Sequence, residues 1–351
     1  MKITLTQNKK AKPDFTKLGF GKYFTDHMLI MDYADGAWRE PEIVPYQQFN
    51  LDPSTCVLHY GQGIFEGLKA YKNAEGKITM FRPYDNFKRM NRSAERLCMP
   101  TIDVDMIVEA LKELIMVDQE WIPTAPGTAL YIRPTMVATD AMLGVHPGHT
   151  YRFFIILSPV GSYYPNGLQP TKILVEKEYV RAPLGGTGEA KCMGNYAASL
   201  LAGDIANKKG YEQVLWLDSN EHKYVEEVGA MNMFFVFDGV VKTPALVGSI
   251  LPGITRDSVL QILRSEGKPV EEARISVDEI VKMNADGKLN EAFGSGTAAV
   301  ISPVGVLNIN GEDVKINNFE MGPITSYLYD KLTGIQYGRY PDTFGWIVKV
   351  N

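Results

Sequence analysis

The stretch Gly185–Leu200, GGTGEAKCMGNYAASL, gathers four glycines around one lysine and then becomes a run of small and apolar residues. Glycine lets backbone approach a ligand closely and present N–H donors to it. The run Tyr196–Asn207, ending before Gly210, predicts a helix. Lys191 sits beside Ala190, Cys192 and Met193 with few charges near it in sequence. Desolvation there lowers a lysine's pKa, and a neutral amine condenses with carbonyls. A lysine taken at random is a surface residue, since Lys is rarely fully buried, so the rest of the pattern has to decide. The loop is not a nucleotide P-loop, which needs Gly-Lys-Ser/Thr, because Ala190 precedes Lys191 and Cys192 follows it. No Gly-x-Gly-x-x-Gly opens a helix after a strand.

Working outward, β-rich runs flank this loop: KILVEKEYV before it, QVLWLD and NMFFVF after it. In the first half, HMLIMDY, TALYIRP and YRFFIILS read as strands, and Tyr84–Leu97 and Asp105–Trp121 carry apolar residues at helical spacing. The Gly/Pro/Tyr/Asn segment Gly161–Pro170 has the composition of a connection. We therefore expect a first domain over 1–160, a linker over 161–170 and a second domain over 171–351, both mixing α/β and α+β character. Two late helices show their ends, one N-capped at Thr255 and one at the capping box Ser276-Val-Asp-Glu279.

The chain has 351 residues, 45% hydrophobic and 22% charged, which excludes disorder, collagen-like sequence and a disulfide scaffold. A net charge of −5 gives no electrostatic reason to expect nucleic acid or an anionic membrane as partner. Phe293–Gly311 is uncharged but broken by glycines, a proline and asparagines, so it reads as soluble sequence. Three cysteines, Cys56, Cys98 and Cys192, are too few and scattered for a disulfide framework. With no signal or transit pattern at the N-terminus, we expect a cytoplasmic protein. The five histidines show no metal-ligand spacing, so no metal is expected.

Other candidates are weaker alone. Phe293–Ala298, FGSGTA, is a second glycine cluster, and Thr255 at a helix N-terminus is either an ordinary cap or part of a phosphate site. Glu227 precedes an apolar strand, where its carboxylate would face a site from the strand end or be solvated. Phe20, Tyr60, Phe65, Tyr131 and Tyr163 are each explained by packing when taken singly.

Together these pieces fall into a known order: LHYGQGIFEGLKAY, FRPYDNFKRMNRSAERL, LYIRP, EAKCMGNYAASL, QVLWLD, EEVGAMN, LPGITR and FGSGTA. The series, from about Gly19 to about Arg339, resembles the branched-chain amino acid aminotransferases, within the fold-type IV enzymes that use pyridoxal 5′-phosphate. The resemblance implies a two-domain fold-type IV architecture, a small N-terminal and a larger C-terminal domain, with the site between them and a homodimer whose partner contributes Val145. Lys191 would hold the cofactor covalently, Tyr196 its phenolic oxygen and Glu227 its pyridine nitrogen. Arg89, Ile254, Thr255 and Thr297 would meet the phosphate, with Arg181 in support. Phe20, Tyr60, Phe65, Tyr131, Val145 and Tyr163 would line the substrate pocket. Arg133 would take the γ-carboxylate of 2-oxoglutarate, and Tyr60 with the Thr297-Ala298 backbone the α-carboxylate.

The implied reaction is a two-step amino transfer from leucine, isoleucine or valine to 2-oxoglutarate. Two departures stand out: Ala299 and Ser302 occupy the positions of a Cys-x-x-Cys pair found in some relatives, and Ala230 stands where some carry Thr. Cys192 reads as a buried thiol. The alternatives are a D-amino acid aminotransferase, an aminodeoxychorismate lyase, or a nucleotide-binding or purely structural protein whose glycine loops imitate a cofactor site.

Overall fold

Strand-forming residues dominate both halves of the chain, and the computed structural model, which describes residues 1–73, 75–161 and 168–351, builds a sheet in each. By internal contacts the chain divides into two units: Met1–Pro165, Ala190–Met193 and Ile335–Asn351 form one, Asn166–Glu189 and Gly194–Gly334 the other.

In the first unit a ten-stranded sheet centres on His27–Ala34, Tyr151–Val160 and Ala129–Ala138, which pair antiparallel in that order. Leu68–Lys72 pairs with Ala129–Ala138 on its other side, then comes Ile78–Phe81, and Gly63–Phe65 also pairs with Ala129–Ala138. Two helices cover the sheet. Pro83–Arg96 begins with proline, whose missing N–H costs nothing in a first turn, and buries Phe87, Met90 and Ala94 along one side. Val104–Val117 is capped by Asp103, whose side chain accepts from Met106 N–H, and buries Ile107, Leu111 and Leu114. These meet Leu130, Ile132, Phe153 and Ile155 of the sheet in one core. Each such side chain contributes about 1.5–3 kcal/mol of transfer free energy.

The second unit is built on six strands that close on themselves. Val225–Val228, Gln213–Leu217, Thr171–Val175, Val300–Ile309, Leu289–Gly296 and Met231–Phe237 follow one another, and the last pairs back with the first. Closure removes sheet edges. Val240–Pro244 and Val270–Ala273 extend it from Met231–Phe237. Phe235 and Phe237 stack at 5.5 Å and belong to a core with Leu215, Leu217 and Leu307.

Several expected boundaries shift. The C-terminal segment, assigned by sequence to the second domain, joins the first unit because Ile347–Lys349 pairs antiparallel with Ile78–Phe81. The single helix expected over Tyr196–Asn207 is two, Met193–Ala198 and Leu200–Lys208. Their junction is Ser199, whose Oγ bonds back to the Tyr196 carbonyl. Thr255 is not the N-cap of its helix: the helix is Ile254–Ser265, and Gly253, extended at φ −68° and ψ 134°, is the cap. Ser276 does cap Val277–Ala285, accepting from Glu279 N–H at 3.0 Å. Tyr163 lies outside the described residues.

Candidate active site

Lys191 is stapled to the first unit by its backbone. Its N–H donates to Ser93 Oγ at 2.9 Å, its carbonyl accepts from Phe65 N–H at 3.1 Å, and the next residue, Cys192, bridges to Ile64. The partly buried side chain lays its ammonium over the Phe65 ring, 4.8 Å from the centroid. Burial first, and the Arg89 guanidinium second, lower the amine to about 8, against the opposing pull of Glu66. Lys191 is therefore still mostly protonated at pH 7, with roughly a tenth of it neutral, far more than an ordinary lysine offers. Cys192, 4% exposed, is packed in the core.

Around Lys191 the sheet assembles a charged pair and an aromatic wall. Arg89, from the helix Pro83–Arg96, meets Glu66 through two bonds of 2.8 Å, Nε to Oε1 and Nη2 to Oε2. Glu66 is fully buried and Arg89 is 3% exposed, so the bidentate pairing is what makes both charges tolerable there. On the strand Ala129–Ala138, Tyr131 and Arg133 share a face by the two-residue period. Arg133 lies 4.8 Å from the Phe65 ring and 5.3 Å from that of Tyr131, donating from Nη2 to the Tyr131 hydroxyl at 3.2 Å. Its buried Nε has no hydrogen-bond partner among the described residues. Phe20 meets Tyr131 edge-on at 4.9 Å. Gly67 makes this possible, since a Cβ there would lie 2.0 Å from the Tyr131 hydroxyl oxygen.

Tyr60 ends the short helix Cys56–Tyr60. Its hydroxyl accepts from Gly144 N–H at 2.9 Å, next to Val145, which is 89% exposed.

The second unit holds the other group. Glu227 is not at the end of the apolar strand but inside its own short strand, Val225–Val228, where Glu227 pairs with Asn232. It is 3% exposed; Oε1 accepts from Leu251 N–H at 2.7 Å, and Oε2 lies 3.2 Å from Arg181 Nε in an ion pair. Arg181 in turn donates from Nη2 to the carbonyls of Gly188 at 2.6 Å and Ser249 at 2.8 Å. Gly188 is required for this approach, because a Cβ would lie 2.0 Å from the Ser249 carbonyl oxygen. The loop that holds Ser249 and Leu251 runs into the helix start at Ile254 and Thr255, and Asn232, from the strand Met231–Phe237, donates to its Leu251 carbonyl. No cap side chain occupies that helix start, where first-turn N–H groups and the dipole attract anions.

Thr297 and Ala298 lie in the turn joining Leu289–Gly296 to Val300–Ile309. Across the sheet, Glu227 pairs with Asn232, Asn232 with Ser295, and Ser295 with Ile301, so this turn follows closely on the row that contains Glu227. Tyr196 is partly buried in the helix Met193–Ala198. Sequence reading missed Glu66, Gly67, Ser93 and Ser249. Glu66 carried one signal, as a lone acid in the otherwise uncharged run Tyr60–Leu68, but its partner is 23 residues away.

The comparisons with known proteins show a family and a fold. The family model described as amino-transferase class IV matches residues 63–306. A Bacillus subtilis protein named branched-chain-amino-acid aminotransferase 2 is 54% identical over 351 residues, covering 100% of this chain and 97% of its own. The crystal structure of the Escherichia coli branched-chain amino acid aminotransferase superposes with a TM-score of 0.78 at 29% identity, covering 93% of this chain and 99% of that one. A T.th. branched-chain amino acid aminotransferase, solved as a complex with N-(5′-phosphopyridoxyl)-L-glutamate, has a TM-score of 0.74 at 29% identity, covering 92% and 98%. The chain belongs to the class IV aminotransferases, of fold-type IV, and within them to the branched-chain amino acid aminotransferases.

Proposed function

We propose that the chain transfers the amino group of L-leucine, L-isoleucine or L-valine to 2-oxoglutarate, reversibly and in two half-reactions, using pyridoxal 5′-phosphate held at Lys191. The observation that carries this reading is Lys191 itself, a lysine lowered to about 8 by burial and by Arg89. The residues suit the cofactor: an amine for its aldehyde, a buried carboxylate for its ring nitrogen and a side-chain-free helix start for its phosphate. When bound, pyridoxal 5′-phosphate supplies the electron sink and carries the amino group between the two half-reactions.

The protein's own residues do the rest. Lys191 Nζ would hold the cofactor and, once freed by the substrate amine, would act as the base that takes the proton from the substrate α-carbon and as the acid that gives it up again. Glu227 would hold a proton on the ring nitrogen; Leu251 N–H and Arg181 stabilise its negative charge and fix its direction. Thr255, the Ile254 backbone, Thr297 and Arg89 would bind phosphate. Arg89 commits Nε and Nη2 to Glu66, which orients the guanidinium. Tyr196 would meet the phenolic oxygen.

Phe20, Phe65 and Tyr131 provide an apolar wall for a branched side chain. Arg133, with its unsatisfied Nε, would accept the γ-carboxylate of 2-oxoglutarate, and Tyr60 with Ala298 would hold the α-carboxylate. Exposure of Met142 at 47%, Leu143 at 65% and Val145 at 89% supports a homodimer in which this loop is covered. Cytoplasmic residence suits three free cysteines, two of them buried. Among the described residues no helix is long and apolar enough to cross a membrane.

The test is production of glutamate from L-leucine and 2-oxoglutarate by the cofactor-loaded protein. Activity with leucine, absent in Lys191→Ala, is expected. A protein that ignores leucine and turns over D-alanine would contradict the reading.

A further inference from the structure

Val225–Val228 carries an irregularity against Gln213–Leu217, since Leu215 faces Val228 and Leu217 faces Val225, and Glu226 and Glu227 sit side by side within it, each with its own partners. Glu226 has no part in the reaction described above, yet it is only 4% exposed. Its Oε1 accepts from Ser249 Oγ, and its Oε2 has no hydrogen-bond partner among the described residues. Ser249 also serves the other carboxylate. The Ser249 carbonyl accepts from Arg181 Nη2 at 2.8 Å, Arg181 pairs with Glu227, and Leu251, two residues on, donates its N–H to Glu227. Glu226 thus anchors, through Ser249, the segment that supports both members of the Arg181–Glu227 pair. Glu226 and Ser249 also line a cavity of about 280 Å³, space enough for water beside the carboxyl group.

We propose that Glu226 is a positioning residue for the Arg181–Glu227 pair: through Ser249 it fixes the segment both partners depend on, and the gain or loss of its proton changes the charge that Arg181 must balance. With Glu226 neutral, one guanidinium faces one carboxylate; with Glu226 ionised, it faces two. Burial is the main influence on Glu226 and pushes it up to about 7, with Ser249 and Arg181 pulling down and Glu227 and Asp218 adding to the rise. The remaining charged neighbours are already committed. Asp218 accepts from the backbone N–H groups of Asn220, Glu221, Lys223 and Tyr224. Arg274 is paired with Glu221 and lies over the Tyr224 ring. Arg181 is therefore the cation that responds when Glu226 titrates.

The catalytic consequence rests on the functional reading above, in which Glu227 serves the cofactor, but the coupling itself is measurable without it. The experiment follows the Arg181 side-chain ¹⁵N resonances of the cofactor-free full chain by NMR from acid to alkaline pH, assigned with Arg181→Lys. The wild type is expected to show an inflection near 7, which Glu226→Gln abolishes and Ser249→Ala weakens. An Arg181 signal that is flat in the wild type, or that titrates unchanged in Glu226→Gln, overturns the proposal. In the loaded enzyme, Glu226→Gln is expected to remove the inflection near 7 from the kcat profile for leucine while leaving KM unchanged. An unaltered kcat profile in an active variant overturns the catalytic part. Failure of the wild type to bind cofactor would instead sink the functional reading, and the Arg181 titration would still decide the coupling.

Discussion

At the scale of single residues, the site depends on charges that are tolerable only in pairs. Glu66 and Arg89 are both buried, so Glu66→Gln withdraws the carboxylate charge that Arg89 meets through two bonds, at a cost of about 3–5 kcal/mol. Denaturant unfolding of the cofactor-free protein measures that loss. The same change withdraws a group that raises the Lys191 pKa while leaving Arg89, which lowers it. In the wild type, where Lys191 is lowered to about 8, the neutral amine becomes the major form above pH 8. Reductive trapping of an added aldehyde at Lys191, located by mass spectrometry, should therefore rise through pH 8 and level off well below the range of an ordinary lysine. In Glu66→Gln the rise should come at lower pH. Lys191 and Glu227 drew attention in the sequence because each sits in a stretch of distinctive composition, whereas Arg181 came only from the family resemblance. Glu66, Ser93 and Ser249 were not, because their partners lie 23, 98 and 23 residues away and no local pattern carries such pairings.

At the scale of elements, regular alternation and caps were readable, while breaks set by side-chain bonds were not. His27–Ala34, Ala129–Ala138 and Tyr151–Val160 follow apolar runs that only a sheet covered on its faces would bury. The short strand Val225–Val228 escaped notice because its two glutamates do not look like a buried strand. Each is accommodated by a partner from another element, Ser249 for one, Leu251 and Arg181 for the other. A similar long-range cap starts the helix Pro323–Gln336. Glu291 accepts from Ile324 N–H at 2.9 Å and from the N–H and hydroxyl of Thr325 at 2.8 and 2.7 Å. Glu291→Ala removes all three bonds and the negative charge at the helix N-terminus, for an expected loss of about 3 kcal/mol. Chemical denaturation reads that loss, and the early exchange of amides in the helix's first turn identifies its source.

At the scale of the whole chain, each sheet is assembled from segments far apart in sequence. The tail from Ile335 belongs with the first unit: Tyr337 donates its hydroxyl to the Thr128 carbonyl at 2.8 Å and meets Tyr71 edge-on at 4.8 Å. A boundary drawn from composition near Gly161–Pro170 had no means of finding this return, since strand pairing between Ile78–Phe81 and Ile347–Lys349 leaves no trace in either segment alone. Truncation after Gly334 should strip protection from Ile78–Phe81 in hydrogen exchange and leave Met231–Phe237 protected. Equal loss in both strands would contradict the division into two units.

At the centre of the proposed function stands Lys191, as the residue that holds the cofactor on which a branched-chain amino group passes to 2-oxoglutarate. The measurement that tests it most directly is the visible absorption spectrum of the cofactor-loaded protein, recorded before and after L-leucine and again after 2-oxoglutarate, beside Lys191→Ala. The account predicts a band that falls with leucine, returns with 2-oxoglutarate and shows no such exchange in the variant. A wild type whose band ignores leucine, or a Lys191→Ala protein that still exchanges, would contradict it.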